Sequence, residues 1–186
     1  MTGLEPETDV IVEIATLITD DDLNIIAEGP DLVIHQPDEV LARMNQIVVD
    51  MHTKSGLLEA IKSSTITLEE AGAATLEFIR QHIPEARTIP LCGNSIGTDR
   101  MFINRYMPTL DAHLHYRNVD VSSIKELVRR WYPKVYFQLP KKSGGHRALA
   151  DIRESIAELV YYRKTVLVEA PGPTSVEAKT SADQTQ

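Results

Sequence analysis

Residues 88–107 read TIPLCGNSIGTDRMFINRYM, and the order of residue types along this stretch decides the fold. TIPLCG (88–93) is a short buried strand, Asn94 to Gly97 is a loop, and a helix follows from Thr98 to Met107. A strand that feeds through a small polar loop into a helix is the repeating step of an α/β layer. In that helix positions 99, 102, 103 and 106 share one face. They are Asp99, Phe102, Ile103 and Tyr106, so a carboxylate in the first turn stands on an apolar stripe.

Working outward, residues 8–19 (TDVIVEIATLIT) are rich in Val, Ile and Thr and read as a mostly buried strand. Asp20-Asp21-Asp22 with Leu23-Asn24 is a turn, and residues 25–35 (IIAEGPDLVIH) return, broken at Gly29-Pro30. From Pro37 the period becomes helical, with Val40, Leu41, Met44, Ile47, Val48 and Met51 recurring. A second helix covers Ser55 to Lys62. Thr67-Leu68-Glu69-Glu70 is a capping box that opens a third. Downstream, residues 115–121 (HYRNVDV) form a strand, and Ser123 to Glu126 repeats the capping-box pattern before a helix that ends at Trp131-Tyr132. A loop to Ser143-Gly144-Gly145 precedes a last helix from about Arg147 to Arg163. The expectation is an α/β domain with a mixed sheet flanked by helices over residues 1–169, and a disordered tail over 170–186, where Val176 is the one large apolar residue.

Composition narrows the function classes. The charge is 19 − 27 = −8 over 186 residues, which disfavours a long non-specific grip on duplex phosphates. A short anionic ligand held with the help of metal ions remains open. The one cysteine, Cys92, excludes an internal disulfide framework and a cysteine-type zinc site. No apolar run reaches membrane-spanning length and MTGLEPETD lacks a signal-peptide core, so the expected location is cytoplasmic, with no membrane partner.

Two more polar residues stand where chemistry could use them. Asp151 lies near the start of the last helix, at the edge of the arc formed by Ala148, Leu149, Ile152, Ile156, Leu159 and Val160. His146 follows two glycines that let a loop approach a ligand closely, and an imidazole there can serve as a general base. Each has a plain structural alternative: a carboxylate held by helix N-terminal N–H groups, an ordinary first-turn acid, a loop histidine. Together, two acids at helix starts and a histidine on the loop before one of them point to a divalent-metal site of the Mg²⁺ or Mn²⁺ kind. His113-x-His115 reads either as a metal pair or as a surface pair.

The segments MTGLEPETDVIVEIATL, HTKSGLLEAIKSST, LCGNSIGTDRMFI, HYRNVDVSSIKELVRRW and HRALADIRESIAELVYYR resemble, in this order, the oligoribonucleases of the DEDDh 3′–5′ exonuclease family, which have an RNase H-like fold. The resemblance implies a homodimer that degrades very short single-stranded RNA to nucleoside 5′-monophosphates by two-metal hydrolysis. It implies metal ligation by Asp99 and Asp151, and His146 as the base that activates water. Tyr116 and Arg117 would reach across a dimer interface toward the partner's substrate. Ser95 and Ser122 would contact the phosphate end, Leu4 would wedge near the terminal bases, and His52 would lie near the scissile end. Where many members carry an aromatic base platform, this sequence has Ile47, which weakens stacking.

The family pattern also places a strand with Asp-x-Glu directly before the Met-Thr-Gly-Leu segment. This sequence begins at that methionine, so the expectation is an exonuclease fold without its first strand and without two acidic ligands, and a hairpin lacking its central neighbour. Two other readings follow. One is a proofreading-type DNA exonuclease, which the HYR and HTKSGL segments disfavour. The other is an inactive oligonucleotide-binding or dimer-forming remnant.

Overall fold

The computed structural model describes residues 1–141 and 144–185; of the expected loop 133–145, Lys142 and Ser143 lie outside the described residues. In chain order the elements are β1 (Glu13–Thr19), β2 (Ile25–Val33), α1 (Asp38–Leu41), α2 (Gln46–Lys54), α3 (Leu57–Ser63), α4 (Leu68–His82), β3 (Leu91–Gly93), α5 (Ile96–Tyr106), α6 (Pro108–His113), β4 (Asn118–Asp120), α7 (Val121–Trp131), α8 (Pro133–Tyr136), α9 (Ala148–Thr165) and α10 (Ser175–Asp183). No described helix is long and apolar enough to cross a membrane.

β1 and β2 form the expected antiparallel hairpin. Its turn is closed by Asp20, whose Oδ1 accepts from the backbone N–H groups of Asp22 and Asn24. The ladder runs through Gly29-Pro30 instead of ending there. Ala15 faces Asp31 and Leu17 faces Glu28, so a bulge absorbs the proline, which has no N–H to donate. β3 and β4 pair in parallel, with Gly93 opposite Asp120. The mixed pairing directions expected of the fold are therefore present. They fall in two ladders that share no strand among the described residues. α9 packs against both β1 and β3 and also touches α7.

Three apolar clusters hold this arrangement. Ile11, Ile34, Leu76, Ile79 and Phe102 meet between the hairpin, α4 and α5. Val12, Leu41, Leu57 and Ile61 close the other end under α1 and α3. Val121, Val128 and Tyr162 join α7 to α9.

The structure moves several boundaries. β1 begins at Glu13, not at residue 8, because Thr2, Asp9 and Tyr106 capture the preceding backbone. The Thr2 hydroxyl donates to Asp9 Oδ1 at 3.0 Å, and the Tyr106 hydroxyl donates to the carbonyls of Pro6 and Asp9. The helical pattern from Pro37 breaks after α1, and Asn45 caps α2 by accepting from Val48 N–H. The capping box at Thr67 and Glu70 forms as read. The second one does not. Asp120 caps α7, which starts three residues earlier than the Ser123 pattern implies, and Glu126 pairs instead with Arg129 and Arg130. On α9 the buried side chains are Ser155, Glu158 and Tyr162, so the inward face is more polar than the arc of aliphatic residues suggests. Within the stretch 170–185, expected to lack structure, α10 forms behind a Thr174–Glu177 capping box and buries no side chain.

Candidate active site

β3 and β4 run parallel, so the loops that follow them leave the same edge of the ladder. One leads into α5 and the other is the cap of α7. They are stitched together at Ser95. This residue adopts a left-handed backbone (φ 52°) at the N-cap of α5. Its N–H donates to Asp120 Oδ1 and to Ser122 Oγ, each at 2.9 Å. The Ser95 and Ser122 hydroxyls are 3.1 Å apart. Two serines 27 residues apart in sequence thus form one polar edge.

Asp99 is half-buried in the first turn of α5, beneath Ser95 and on the same face as the buried Phe102. Burial pushes its carboxyl above the usual carboxylate range, opposed in part by a hydrogen bond from its own backbone.

His52 is 3% exposed at the end of α2. Its Nε2 lies 3.0 Å from the Met1 carbonyl oxygen, which can only accept, so Nε2 carries the proton. Nδ1 is buried with no partner among the described residues. Protonation there would leave an N–H unsatisfied, in line with a pKa lowered first by burial. His52 thus ties the Met1–Leu4 segment to α2. The sign of the pH effect follows from the folded value lying below the ordinary 6.5. The neutral imidazole contributes fully above that value. As pH falls through it, the unfolded chain takes a proton that the folded state resists, and stability drops. Thermal unfolding between pH 8 and pH 5 is expected to show a falling midpoint, with a shallower fall in His52→Gln. Equal slopes would exclude the buried imidazole as a source of the pH dependence.

His146 is exposed, with a left-handed backbone (φ 47°), on the residue before the N-cap of α9. It is near enough to His52 to disfavour a charge there. Its neighbour Arg147 anchors it. Arg147 Nε pairs with Glu13 Oε1 at 2.7 Å, and Glu13 Oε2 accepts from Ala148 N–H at 2.9 Å. Glu13 therefore fixes both the entry of α9 and the loop that presents His146. Asp151 is exposed in the first turn of the same helix.

The HYR segment lies apart from this cluster. Tyr116 is 75% exposed, with the Arg117 guanidinium 5.3 Å from its ring centroid and the His115 ring centroid 4.5 Å away. His113 and His115 are not a metal pair. His113 is buried and bonds the Ile83 carbonyl, whereas His115 Nδ1 accepts from Arg117 N–H. Leu4 and Ile47 are exposed apolar side chains, at 69% and 81%.

Among the predicted residues, then, the structure joins Ser95 to Ser122, His52 to the Met1 backbone and to the vicinity of His146, and Tyr116 to Arg117. Among the described residues no three His, Cys, Asp or Glu side chains gather closely enough to hold a metal ion. Two acidic residues escape a sequence reading. Glu13 carries a signal, being an acid inside the Val/Ile-rich run VIVEIATLI. Glu158 has one too, since it lies two helical turns after Asp151.

Comparison with known proteins adds an independent finding. The family model described as exonuclease, of the RNase T kind, matches residues 1–159. The chain is 55% identical over 184 residues to a protein of Nocardia farcinica named oligoribonuclease, covering 99% of this chain and 85% of that one. It is 58% identical over 175 residues to the oligoribonuclease of Rhodococcus jostii (94% and 88% covered). To that of Streptomyces avermitilis it is 55% identical over 182 residues (98% and 90%).

Proposed function

The chain belongs to the exonuclease family and, within it, to the oligoribonucleases, and from that premise we propose that it removes nucleotides from the 3′ end of very short single-stranded RNA. The products are nucleoside 5′-monophosphates, the reaction is two-metal phosphodiester hydrolysis, and the working unit is a homodimer. The observation that carries this reading is the mouth of α5. There a carboxyl raised by burial, Asp99, stands one turn behind two exposed hydroxyls.

A desolvated carboxylate of that kind fits a hard divalent cation better than it fits its apolar neighbours. Asp99 and Asp151 would hold Mg²⁺ or Mn²⁺, which when bound supplies Lewis-acid activation at the phosphoryl group. His146, exposed on a loop anchored by the Glu13–Arg147 pair, takes the proton of the attacking water at an imidazole nitrogen. Ser95 and Ser122 donate to the terminal phosphate. Leu4 and Ile47 press on base faces, while His52 holds the segment that presents Leu4. The net charge of −8 suits a site that grips a few nucleotides and not a long strand.

The test is an assay of 5′-labelled dinucleotide and of a longer RNA in Mg²⁺ and in Mn²⁺. Release of mononucleotide, faster from the dinucleotide, is the expected result. A second reading, an inactive oligonucleotide-binding protein, is favoured by the absence of a three-ligand cluster among the described residues. It predicts retained dinucleotide binding with no release.

Tyr116 and Arg117 act in trans in this reading, in which the exposed Tyr116 ring with the Arg117 guanidinium over it is offered to a partner's substrate. Arg117→Ala is expected to weaken dinucleotide binding. Mixing a Tyr116→Ala chain with an Asp151→Ala chain in equal amounts should recover about a quarter of parental activity, since half the dimers are hybrids with one intact site each. With hybrid formation confirmed by mass spectrometry, activity no greater than either variant alone would assign both residues to their own chain.

A further inference from the structure

The mechanism above makes no use of Glu158, yet this residue is 2% exposed and sits at the junction of three elements. Its Oε1 accepts from the Tyr162 hydroxyl at 2.9 Å and lies 3.3 Å from Lys125 Nζ. Its Oε2 accepts from Asn94 Nδ2 at 3.1 Å. The donors come from α9 itself, from α7 and from the loop between β3 and α5.

A buried carboxylate in an ion pair is weak evidence for stability, because desolvation offsets most of the attraction. Its effect here is geometric. Asn94 precedes Ser95, the N-cap of α5, whose first turn carries Asp99. Asn94 Oδ1 is buried without a partner among the described residues, and only its Nδ2 can donate to a carboxylate, so the charge on Glu158 fixes which way the amide faces. Glu158 is seven residues after Asp151 on α9 and therefore on the same helix face, two turns away. Lys125 belongs to α7, whose cap residue Asp120 holds Ser95 from the other side. The phenol of Tyr162 is held protonated by burial and by the Glu158 carboxylate.

We propose that Glu158 is a positioning residue: its buried carboxylate locks the rotation and axial setting of α9 against the β3–α5 loop, and so sets where Asp151 stands relative to Asp99. The inference rests on the exonuclease reading above. It concerns neither a ligand nor a proton carrier, but the register between the two helices that carry the site's acids.

The test compares the full-length parent with two variants. Lys125→Met/Glu158→Met/Tyr162→Phe replaces the hub by apolar groups of similar volume and removes the Lys125 charge together with that of Glu158. Glu158→Gln keeps the shape and removes the charge. Three readouts are thermal unfolding, kcat and KM on a dinucleotide, and Mn²⁺ binding followed by electron paramagnetic resonance. The triple variant is expected to unfold within a few degrees of the parent but to lose about 10²-fold in kcat, the effect of misplacing reacting groups by an ångström or so. KM should stay nearly constant and Mn²⁺ should bind more weakly. Glu158→Gln should lose kcat in the same direction, and it carries the test if the triple variant does not fold. A folded variant with parental kcat and parental Mn²⁺ affinity overturns the positioning role alone. A parent that binds Mn²⁺ without cleaving RNA overturns the exonuclease reading alone, and a parent that does neither overturns both.

Discussion

Asp99→Asn is expected to abolish hydrolysis and to raise the unfolding temperature at neutral pH in metal-free buffer. The two effects share a cause. Burial raises the Asp99 carboxyl above its ordinary value of 3.8, so at neutral pH the folded protein holds a charge that the unfolded chain solvates better. Between the ordinary and the raised value the folded state binds more protons, so stability falls as pH rises through that window and stays lower above it. The amide keeps the volume and removes the penalty. The same substitution removes half of the carboxylate pair proposed to hold the metal, and the loss in kcat should be at least about 10²–10³-fold, the scale of deleting one electrostatic stabiliser at a reacting centre. Asp151→Ala should lose as much activity with little change in unfolding, because Asp151 is exposed. Calorimetry at pH 7 with EDTA, beside a dinucleotide assay in Mn²⁺, separates the two. Full activity in either variant would remove that residue from the site.

His146→Ala is expected to lower kcat by about 10²–10⁴-fold, the usual worth of a placed general base, with KM for a dinucleotide nearly unchanged. The side chain is exposed, so its loss costs the fold little. Its backbone is held by Arg147 and Glu13 whatever stands at 146. The left-handed φ of 47° is already paid for by that anchor, so alanine there is strained but not displaced. Imidazole added to the buffer should restore part of the rate in His146→Ala and none in Asp99→Asn. Loss without rescue, together with a raised KM, would mean that His146 binds substrate and does not carry a proton.

Periodicity found the hairpin, α4 and the β3–α5 step, because in each the apolar spacing and the turn chemistry agree. The Asp20 turn and the Thr67–Glu70 box are local hydrogen-bond patterns, and they formed as read. The boundary of β1 was not legible. Val10, Ile11 and Val12 have strand composition, but the backbone before Glu13 is claimed by Thr2 and by Tyr106, the latter nearly a hundred residues away. The start of α7 failed for a similar reason, with Asp120 taking the cap three residues before Ser123. At the site, helix phase alone placed Asp99 on the face of Phe102. That Ser95 and Ser122 would meet follows from the parallel pairing of β3 with β4, which only a tertiary contact reveals. The signals at Glu13 and Glu158 are weak for the same reason, since the partners that give them meaning include residues on other elements.

The two ladders share no strand among the described residues and are tied by α5, through the cluster of Ile11, Ile34 and Phe102, and by α9, which packs on both, and this gives the protein an order of assembly. The hairpin closes over a short turn and can form early. The β3–β4 ladder needs the α5–α6 crossover first, a longer loop with a larger closing entropy. α5 ties the two first, since Phe102 packs with Ile11 and Ile34 and the Tyr106 hydroxyl holds the backbone of Pro6 and Asp9, and residues 148–165 then close over both. Amide protection in β1 and in β3 should therefore fall together when α9 is undocked, since that helix packs on both. During synthesis the apolar faces that α9 covers stay open until that helix has been made.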